Sequence, residues 1–419
     1  MNPLTTPHIT ANSFLTATST SSTGDDPEPT LIYLVPGNPG LISYYHTYLS
    51  LLSSNLSSSA NGIGSSGSGS TNSSIKDNMP QCIIHGKSMG GFEIMKNEEY
   101  LGSSGSSINT TNMRSKRKEG MDEDDDDEEE ETNPRLYSLS EQIEHVERNI
   151  HNFVDAWYAK REHYDGHQEE QQGGRGIKLI LIGHSVGAYI VMEILRRHKQ
   201  KKEPSATVGG GDTMDIIGGI LLFPTVVDIA KSPSGRKLRK LLYIPYLAFL
   251  TSLLVKFLVF ILPEPWLRRV VGMALGSPPG NAIDNTVEFL KSRRGVEQAI
   301  HMAADEMREI TSDKWSDEIW GITSNASTAT PTAASTTTLT LAKGPLNLML
   351  YFAQQDHWVA NQTRDEIIRA RGGIENSTGT NGPRMQVCED GVEHGFCIRH
   401  SDIMAKKTAG WVKNIIQGR

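Results

Sequence analysis

Cysteine is scarce in this chain of 419 residues, which excludes one class of protein. The three cysteines, Cys82, Cys388 and Cys397, are too few for the disulfide framework of a small secreted domain, and they fit a reducing compartment. The first 24 residues contain neither Lys nor Arg and no continuous apolar segment. We therefore expect neither a secretory signal nor a mitochondrial presequence.

An excess of one charge is also missing from most of the chain, although the formal net charge is −8. The acidic run at 122–131 holds ten of the 49 acidic residues, and the remaining 39 stand against 41 Lys and Arg. A nearly neutral protein lacks the basic footprint of a nucleic-acid-binding protein. We therefore expect no nucleic-acid partner.

Several segments lack the large apolar side chains that a core requires. We interpret 1–28 as a disordered tail, and we interpret 55–79, 102–134 and 324–340 as low-complexity inserts. Such compositions cannot bury enough apolar surface to offset the entropy of the chain. Because a long surface loop adds little closure entropy, we interpret 29–419 as one domain that the three inserts interrupt.

Outside these segments, short apolar runs alternate with amphipathic ones. Buried strands are predicted at 30–37, 81–86, 177–184, 215–224, 345–354 and 384–390. Helices are predicted at 138–157, directly after 177–184, and at 403–417. Continuous apolar strands joined by helices predict an α/β fold, with a mostly parallel sheet and helices on both faces.

Two G-x-S-x-G matches compete for the role of a nucleophile elbow, at Ser88 and at Ser185. An elbow needs a strand, a sharp turn and a helix, with small residues where the backbone passes close to its neighbours. Ser185 has a strong strand before it and a helical pattern after it. Ser88 follows a weak strand and precedes Gly/Ser-rich sequence, so we favour Ser185.

A serine nucleophile needs a base and an orienting acid, and α/β-hydrolases supply them in the order serine, acid, histidine. His394 lies after the last strand and before the last helix, where the base is expected; His400 is the competitor. Asp356 ends a predicted strand and is the favoured acid, and Asp228 is the alternative. For the oxyanion hole we predict the backbone N–H of Val186 and, from the PGNPG loop, that of Asn38.

Six segments of the sequence resemble the lipid droplet-associated hydrolase family of α/β-hydrolases. In order they are LVPGNPGLISYYHTYLSLL, YSLSEQIEH, LIGHSVGAYIVMEIL, LLFPTVVDIAKSPSGRKL, QDHWV and VEHGF. The resemblance covers nearly all of the chain outside the inserts. It implies Ser185 as nucleophile, Asp356 as acid and His394 as base, in an esterase of lipid droplets with sterol esters as the proposed substrate.

One apolar run, at 241–262, is long enough to cross a bilayer as a helix, but Pro245 and Lys256 interrupt it. Bases lie on both sides of the run, whereas a spanning helix usually has a basic bias on one side. We therefore predict a hydrophobic cap at about 236–275 that lies in the surface of a lipid droplet or of the endoplasmic reticulum, on the cytosolic side. The alternative is a cap helix that is buried against the protein.

Two functional hypotheses remain open at this point. The first is a serine esterase that acts on lipid esters through Ser185, Asp356 and His394. The second is a droplet-associated protein that is weakly active or inactive and works by binding lipid. A P-loop at GKS is excluded because Gln81 stands where the motif needs glycine, and we expect neither a cofactor nor a metal.

Overall fold

The structure is a computed structural model, and it describes nine stretches of the chain. These are residues 6–18, 28–58, 79–94, 135–164, 176–202, 214–242, 244–322, 346–376 and 379–418.

An eight-stranded sheet forms the centre of the molecule. Its strands are β1 His8–Ile9, β2 Ser13–Ala17, β3 Thr30–Val35, β4 Cys82–Lys87, β5 Ile177–His184, β6 Met214–Leu222, β7 Asn347–Phe352 and β10 Arg384–Val387. A separate hairpin contains β8 Ile374–Asn376 and β9 Gly379–Asn381. The order across the main sheet is β1-β2-β4-β3-β5-β6-β7-β10, and the pairs from β4 to β10 are parallel.

Helices cover both faces of the sheet and build a cap above it. They are α1 His46–Ser58, α2 Leu139–Tyr164, α3 Val186–Lys202, α4 Pro233–Leu241, α5 Leu247–Ile261, α6 Glu264–Ala274, α7 Gly280–Lys291, α8 Gly295–Glu309, α9 Asn361–Arg371, α10 Phe396–Arg399 and α11 Ser401–Ile416. Helices α2 and α3 pack on one face, whereas α1 and α11 pack on the other. The mostly parallel sheet between two helical layers is the α/β-hydrolase fold, which confirms the predicted fold class.

Burial on both faces explains why the central strands are continuously apolar. In β5, Leu179 and Leu181 point into the core formed with α2 and α3, and Ile180 and Ile182 point into the core formed with α1 and α11. Successive side chains of a strand alternate between the two faces of the sheet. Because both faces are covered, neither set of positions tolerates polar side chains.

The N-terminal segment corrects one prediction. Residues 8–17 are not a disordered tail, because β1 and β2 form an antiparallel hairpin that pairs with β4 at the edge of the sheet. Phe14 is buried in one core and Leu15 in the other. The Ser- and Thr-rich surroundings concealed this strand, since only two large apolar residues of β2 are needed to anchor it. Residues 1–5 and 19–27 lie outside the described part.

The three predicted inserts are only partly described. Helix α1 continues to Ser58, so 55–58 belong to a helix and not to the first insert, because Leu56 packs into the core beside α11. The rest of that insert up to residue 78, all of 102–134, and 324–340 lie outside the described residues. The interpretation of 29–419 as one interrupted domain therefore stays a prediction.

The predicted apolar cap consists of three short helices. Helix α4 ends at Leu241, and α5 begins after Tyr246, which adopts a left-handed backbone conformation with a φ of 58°. Pro263 then separates α5 from α6. Within the described stretches, no helix combines the length and the apolar character that crossing a membrane requires.

Candidate active site

Ser185 occupies a sharp turn between strand β5 and helix α3. It is the single residue between His184, which ends the strand, and Val186, which begins the helix. Its backbone is left-handed, with a φ of 54°. A non-glycine residue in this region is strained by its own Cβ, and such strain is common where a side chain must be presented for function.

Two glycines beside Ser185 allow the tight approach of the turn. A Cβ on Gly183 would lie 2.5 Å from the carbonyl oxygen of Gly187, and a Cβ on Gly187 would lie 2.4 Å from that of Val35. Both distances are shorter than any tolerated contact with backbone atoms. The G-x-S-x-G pattern at 183–187 is therefore required by the packing of β5, α3 and the end of β3.

His394 meets Ser185 from a loop that follows β10. Its Nε2 lies 2.9 Å from Ser185 Oγ, and its Nδ1 lies 2.8 Å from Asp356 Oδ2. A carboxylate only accepts, so Nδ1 carries the proton of the neutral ring and Nε2 is left as an acceptor for the serine hydroxyl. The three side chains thus form a continuous hydrogen-bonded line.

Asp356 lies in the loop between β7 and α9, with only 3% of its side chain exposed. Burial opposes its ionisation, but hydrogen bonds from His394 and from the backbone N–H groups of Trp358 and Val359 outweigh that effect and lower its pKa. The carboxyl is therefore held ionised and fixed in orientation. A fixed carboxylate is what a histidine needs to accept a proton at its other nitrogen.

The alternatives for acid and base lie elsewhere. Asp228 binds Lys231 through a hydrogen bond of 2.7 Å, and it precedes the turn that leads into α4. His400 lies at the junction of α10 and α11. It is Asp356 and His394 that the structure brings to Ser185.

Ser88, the other G-x-S-x-G serine, is buried and engaged in backbone contacts. Its Oγ accepts a hydrogen bond from the N–H of Ile42, and its own N–H donates to the carbonyl of Asn12. Only 4% of the residue is exposed. Ser88 is therefore engaged in backbone contacts at the end of β4, and β4 itself is a full strand that pairs with β2 and β3.

The predicted oxyanion-hole residues flank Ser185 on two elements. Val186 is the first residue of α3, where a backbone N–H has no partner within the helix. The PGNPG loop touches the elbow, since a Cβ on Gly37 would lie 3.0 Å from Ser185 Cβ. The side chain of Asn38 points away into the cap, where it donates to the carbonyl of Ala299 and to Glu306 Oε1. Its backbone N–H stays the predicted donor.

Sequence reasoning assigned no role to two buried groups next to the site. Glu306 of α8 is fully enclosed, and burial, aided by the nearby charge of Asp305, raises its pKa to about 7. His184 bonds to Tyr45 and to the backbone of His394. The sequence signals for the second contact are Tyr45, which follows the PGNPG loop, and His184, which precedes Ser185. Neither residue type by itself implies a hydrogen bond between the two.

A large apolar surface on the cap lies exposed. We call it the apolar cap surface, and it contains Phe249, Leu250, Leu253, Leu254, Phe257, Leu258, Phe260 and Ile261 of α5 with Trp266, Val270 and Met273 of α6. Phe260 is 87% exposed, and among the residues of α5 only Ser252 is buried. The alternative of a cap helix buried against the protein is therefore wrong for α5.

The cap is joined to both loops of the site. The N–H of Ser234 in α4 donates to the carbonyl of His357, next to Asp356. Helix α5 packs on α8, which binds the side chain of Asn38. The cap is thus linked to the loop that carries Asp356 and to the side chain of Asn38.

Comparison with known proteins decides the family. The family model described as "Lipid-droplet associated hydrolase" matches residues 28–397. The chain belongs to the lipid droplet-associated hydrolase family. The lipid droplet-associated hydrolase of Gallus gallus is 23% identical, over 92% of this chain and 85% of that protein. The one of Mus musculus is 21% identical, with coverage of 92% and 85%.

Solved structures similar to this member of the lipid droplet-associated hydrolase family are more distant. A soluble variant of monoglyceride lipase from Saccharomyces cerevisiae is 12% identical and has a TM-score of 0.42, with coverage of 100% of this chain and 97% of that one. A peroxisomal α/β-hydrolase from the same yeast is 9% identical and has a TM-score of 0.45, with coverage of 98% and 90%.

Proposed function

We propose that this protein is a serine esterase that hydrolyses lipid esters, sterol esters among them, at the surface of a lipid droplet. The observation that carries the proposal is the hydrogen-bonded line from Ser185 Oγ through His394 to Asp356, with distances of 2.9 and 2.8 Å. Such a line converts a weakly nucleophilic hydroxyl into an effective nucleophile.

The reaction proceeds in two halves. Ser185 Oγ attacks the ester carbonyl while its proton passes to His394 Nε2, and the oxyanion accepts hydrogen bonds from the N–H groups of Val186 and Asn38. The C–O bond of the ester then breaks, and the leaving alcohol takes the proton from His394. In the second half, water gives a proton to His394 as it attacks the acyl-serine carbonyl. The bond from the acyl carbon to Ser185 Oγ then breaks, His394 returns the proton to Ser185 Oγ, and the carboxylic acid leaves.

The apolar cap surface supports a lipid surface as the place of reaction. An exposed apolar area of this extent on a soluble protein marks an interaction site. The exposed bases of α4, namely Arg236, Lys237, Arg239 and Lys240, precede this surface in the chain and suit contact with anionic lipid headgroups. A droplet has a single phospholipid monolayer, so a segment that enters without crossing suits it; the cytosolic side of the endoplasmic reticulum would offer a similar surface.

Turnover of lipid esters on droplets tests the proposal. Purified full-length protein is mixed with emulsions of a sterol ester, a triacylglycerol or a short-chain ester, and the released acid is compared with that from Ser185→Ala. We expect release that depends on Ser185 and is larger for an emulsified long-chain ester. Binding to the droplets without Ser185-dependent release would instead favour a protein that acts in lipid storage by binding.

A further inference from the structure

His184 lies directly before the candidate nucleophile, yet its ring turns away from Ser185 into the protein. It is buried, and burial, aided by the charge of neighbouring His394, lowers its pKa to about 3. The ring is therefore neutral at physiological pH. A neutral imidazole has one N–H donor and one bare acceptor nitrogen, so both need a partner at this depth.

The partners fix which nitrogen carries the proton. His184 Nε2 lies 2.9 Å from the backbone carbonyl oxygen of His394, which can only accept, so Nε2–H is the donor. Nδ1 is then the acceptor, and it receives the hydroxyl proton of Tyr45 over 2.6 Å. The oxygen of Tyr45 accepts in turn from the N–H of Gly37 over 2.9 Å. Each donor in this series of three hydrogen bonds has one acceptor.

Aromatic packing holds the His184 ring in place. Phe396 meets it edge to face at 5.1 Å between ring centres, and Tyr45 does so at 5.7 Å. Phe223 stacks on Phe396 at 5.7 Å. The ring thus has little freedom to turn, and its hydrogen bonds are held in one arrangement.

We infer that His184 and Tyr45 are positioning residues that fix the two loops facing Ser185. One end of the chain of hydrogen bonds holds the backbone of His394, and the other end holds Gly37, next to Asn38. The inference rests on the proposed function, because it matters for catalysis only if His394 is the base and the N–H of Asn38 stabilises the oxyanion. A shift of about 1 Å in either loop would lengthen a hydrogen bond that the reaction needs.

The protonation of the His184 ring can be measured directly by NMR, without an activity assay. In the full chain labelled with ¹⁵N at histidine, the two ring nitrogens of His184 are assigned by their loss in His184→Gln. We expect a neutral ring protonated at Nε2, and Tyr45→Phe should shift the signal of Nδ1. A ring protonated at Nδ1, or a ring charged at pH 7, would overturn the inference whether or not the protein is active.

The catalytic role is tested by a pair of matched substitutions. Tyr45→Phe and Tyr48→Phe each remove one buried hydroxyl near Phe396, but the hydroxyl of Tyr48 donates to Thr408 of α11 and that of Tyr45 contacts His184. We expect Tyr45→Phe to slow labelling of Ser185 by a fluorophosphonate about tenfold, the size expected for one hydrogen bond. Tyr48→Phe should label at the rate of the unmodified protein. For a short soluble ester, Tyr45→Phe should lower kcat and leave KM unchanged.

A conservative replacement of His184 provides a further test. Gln can donate to the carbonyl of His394 and accept from Tyr45, whereas Ala can do neither. His184→Gln should therefore recover part of the labelling rate that His184→Ala loses. Equal labelling rates in Tyr45→Phe and Tyr48→Phe, with similar losses of melting temperature, would reduce the network to a structural role and overturn the inference.

The failure of the proposed function has a separate signature. If the unmodified protein is not labelled at Ser185 although His184 is protonated at Nε2, the serine is not activated, and the positioning role falls with the proposed function. If the unmodified protein is labelled and Tyr45→Phe is labelled equally fast, the esterase stands and only the positioning role is refuted.

Discussion

The side-chain amide of Asn38 donates a hydrogen bond of 2.9 Å to the buried carboxyl of Glu306. The two residues are 268 positions apart, and the bond joins the loop after β3 to helix α8 of the cap. A second bond from the same amide, to the carbonyl of Ala299, makes the attachment bidentate. The cap therefore takes part in holding the loop that we predict to supply an oxyanion donor.

Glu306→Gln should change how stability depends on pH. The folded-state pKa of about 7 lies above the ordinary value of 4.5, so the folded state keeps the proton longer than the unfolded state. Stability from this group is full below about pH 4.5 and is lost as pH rises to about 7, by on the order of 3 kcal/mol. Gln cannot ionise, so the variant lacks this loss. In urea titrations, the free energy of unfolding of the variant minus that of the unmodified protein should rise as the pH increases from about 4.5 to about 7.

Glu141→Gln is the control of opposite sign. Hydrogen bonds from the backbone and hydroxyl of Ser138 lower the pKa of Glu141 at the start of α2. The stability that ionised Glu141 contributes to the protein is therefore present at neutral pH and is lost as the pH falls through the lowered pKa. The same pH trend in both variants would contradict the assignment of Glu306 as a buried acid.

Ser185→Ala should abolish labelling by a fluorophosphonate probe, whereas Ser88→Ala should leave it intact. Only Ser185 lies against His394, while Ser88 is buried and accepts a bond from Ile42. In-gel fluorescence of the probe measures both variants side by side. Labelling that survives in Ser185→Ala, or disappears in a folded Ser88→Ala, would reverse the assignment.

His394→Ala and Asp356→Asn should both slow labelling, each on the order of 10⁴-fold or more. Asn at 356 keeps the shape but loses the charge that fixes the proton on His394 Nδ1. Asp228→Asn is the matched control, because Asp228 binds Lys231 instead. The measurement is the rate constant of labelling at pH 7, and a large loss in Asp228→Asn with none in Asp356→Asn would exchange the two acids.

Asp placed at Leu250, Leu254 and Leu258 should release the protein from droplets into the cytosol. All three side chains are about half exposed on α5, at 51%, 57% and 45%. Each charge moved into hydrocarbon costs roughly 2.5–3.5 kcal/mol on insertion scales. The protein should stay folded, and a small soluble probe should still label Ser185, whereas a long-chain lipid-like probe should label it less. Droplet flotation measures the release.

A control variant adds the same charge to a different surface. Asp at Ser140, Asn152 and Ala159 places three carboxyls on exposed positions of α2, outside the apolar cap surface. This variant should remain on droplets. If the α5 variant aggregates or loses all labelling, α5 supports the folded core; if it stays on droplets, another element, such as the helix that carries Trp266, is the anchor.

Deletion of 102–133 should leave folding and labelling nearly unchanged. The segment is rich in Gly, Ser and Asn and contains the acidic run, so its composition supports no core. Joining its ends shortens the connection between Ile94 and Arg135, and closure entropy changes only slowly with loop length. Thermal unfolding measures the effect, and a fall in melting temperature of more than a few degrees would indicate that the insert packs on the domain.

The sequence alone predicted the fold class, the six strands β3 to β7 and β10, and the strand-turn-helix setting of Ser185. These features are local: a run such as IKLILIGH needs burial on both faces, and glycines at 183 and 187 allow the close approach that Ser185 requires. The prediction of a disordered tail at 1–28 is wrong for 8–17, because β2 pairs with β4 and buries Phe14 and Leu15. A short edge strand takes its stability from its partner β4, and composition does not reveal a partner.

Only the tertiary structure decided which acid meets the histidine and which face of the cap is exposed. Asp228 and Asp356 both follow the carboxyl ends of parallel strands, β6 and β7, which are neighbours in the sheet. Order along the chain favoured Asp356 without excluding Asp228, and a contact between loops 38 residues apart brought Asp356 to His394. The sequence favoured a lipid-facing cap at 241–262 without excluding burial, because hydrophobicity records a preference for leaving water and not whether protein or lipid replaces it.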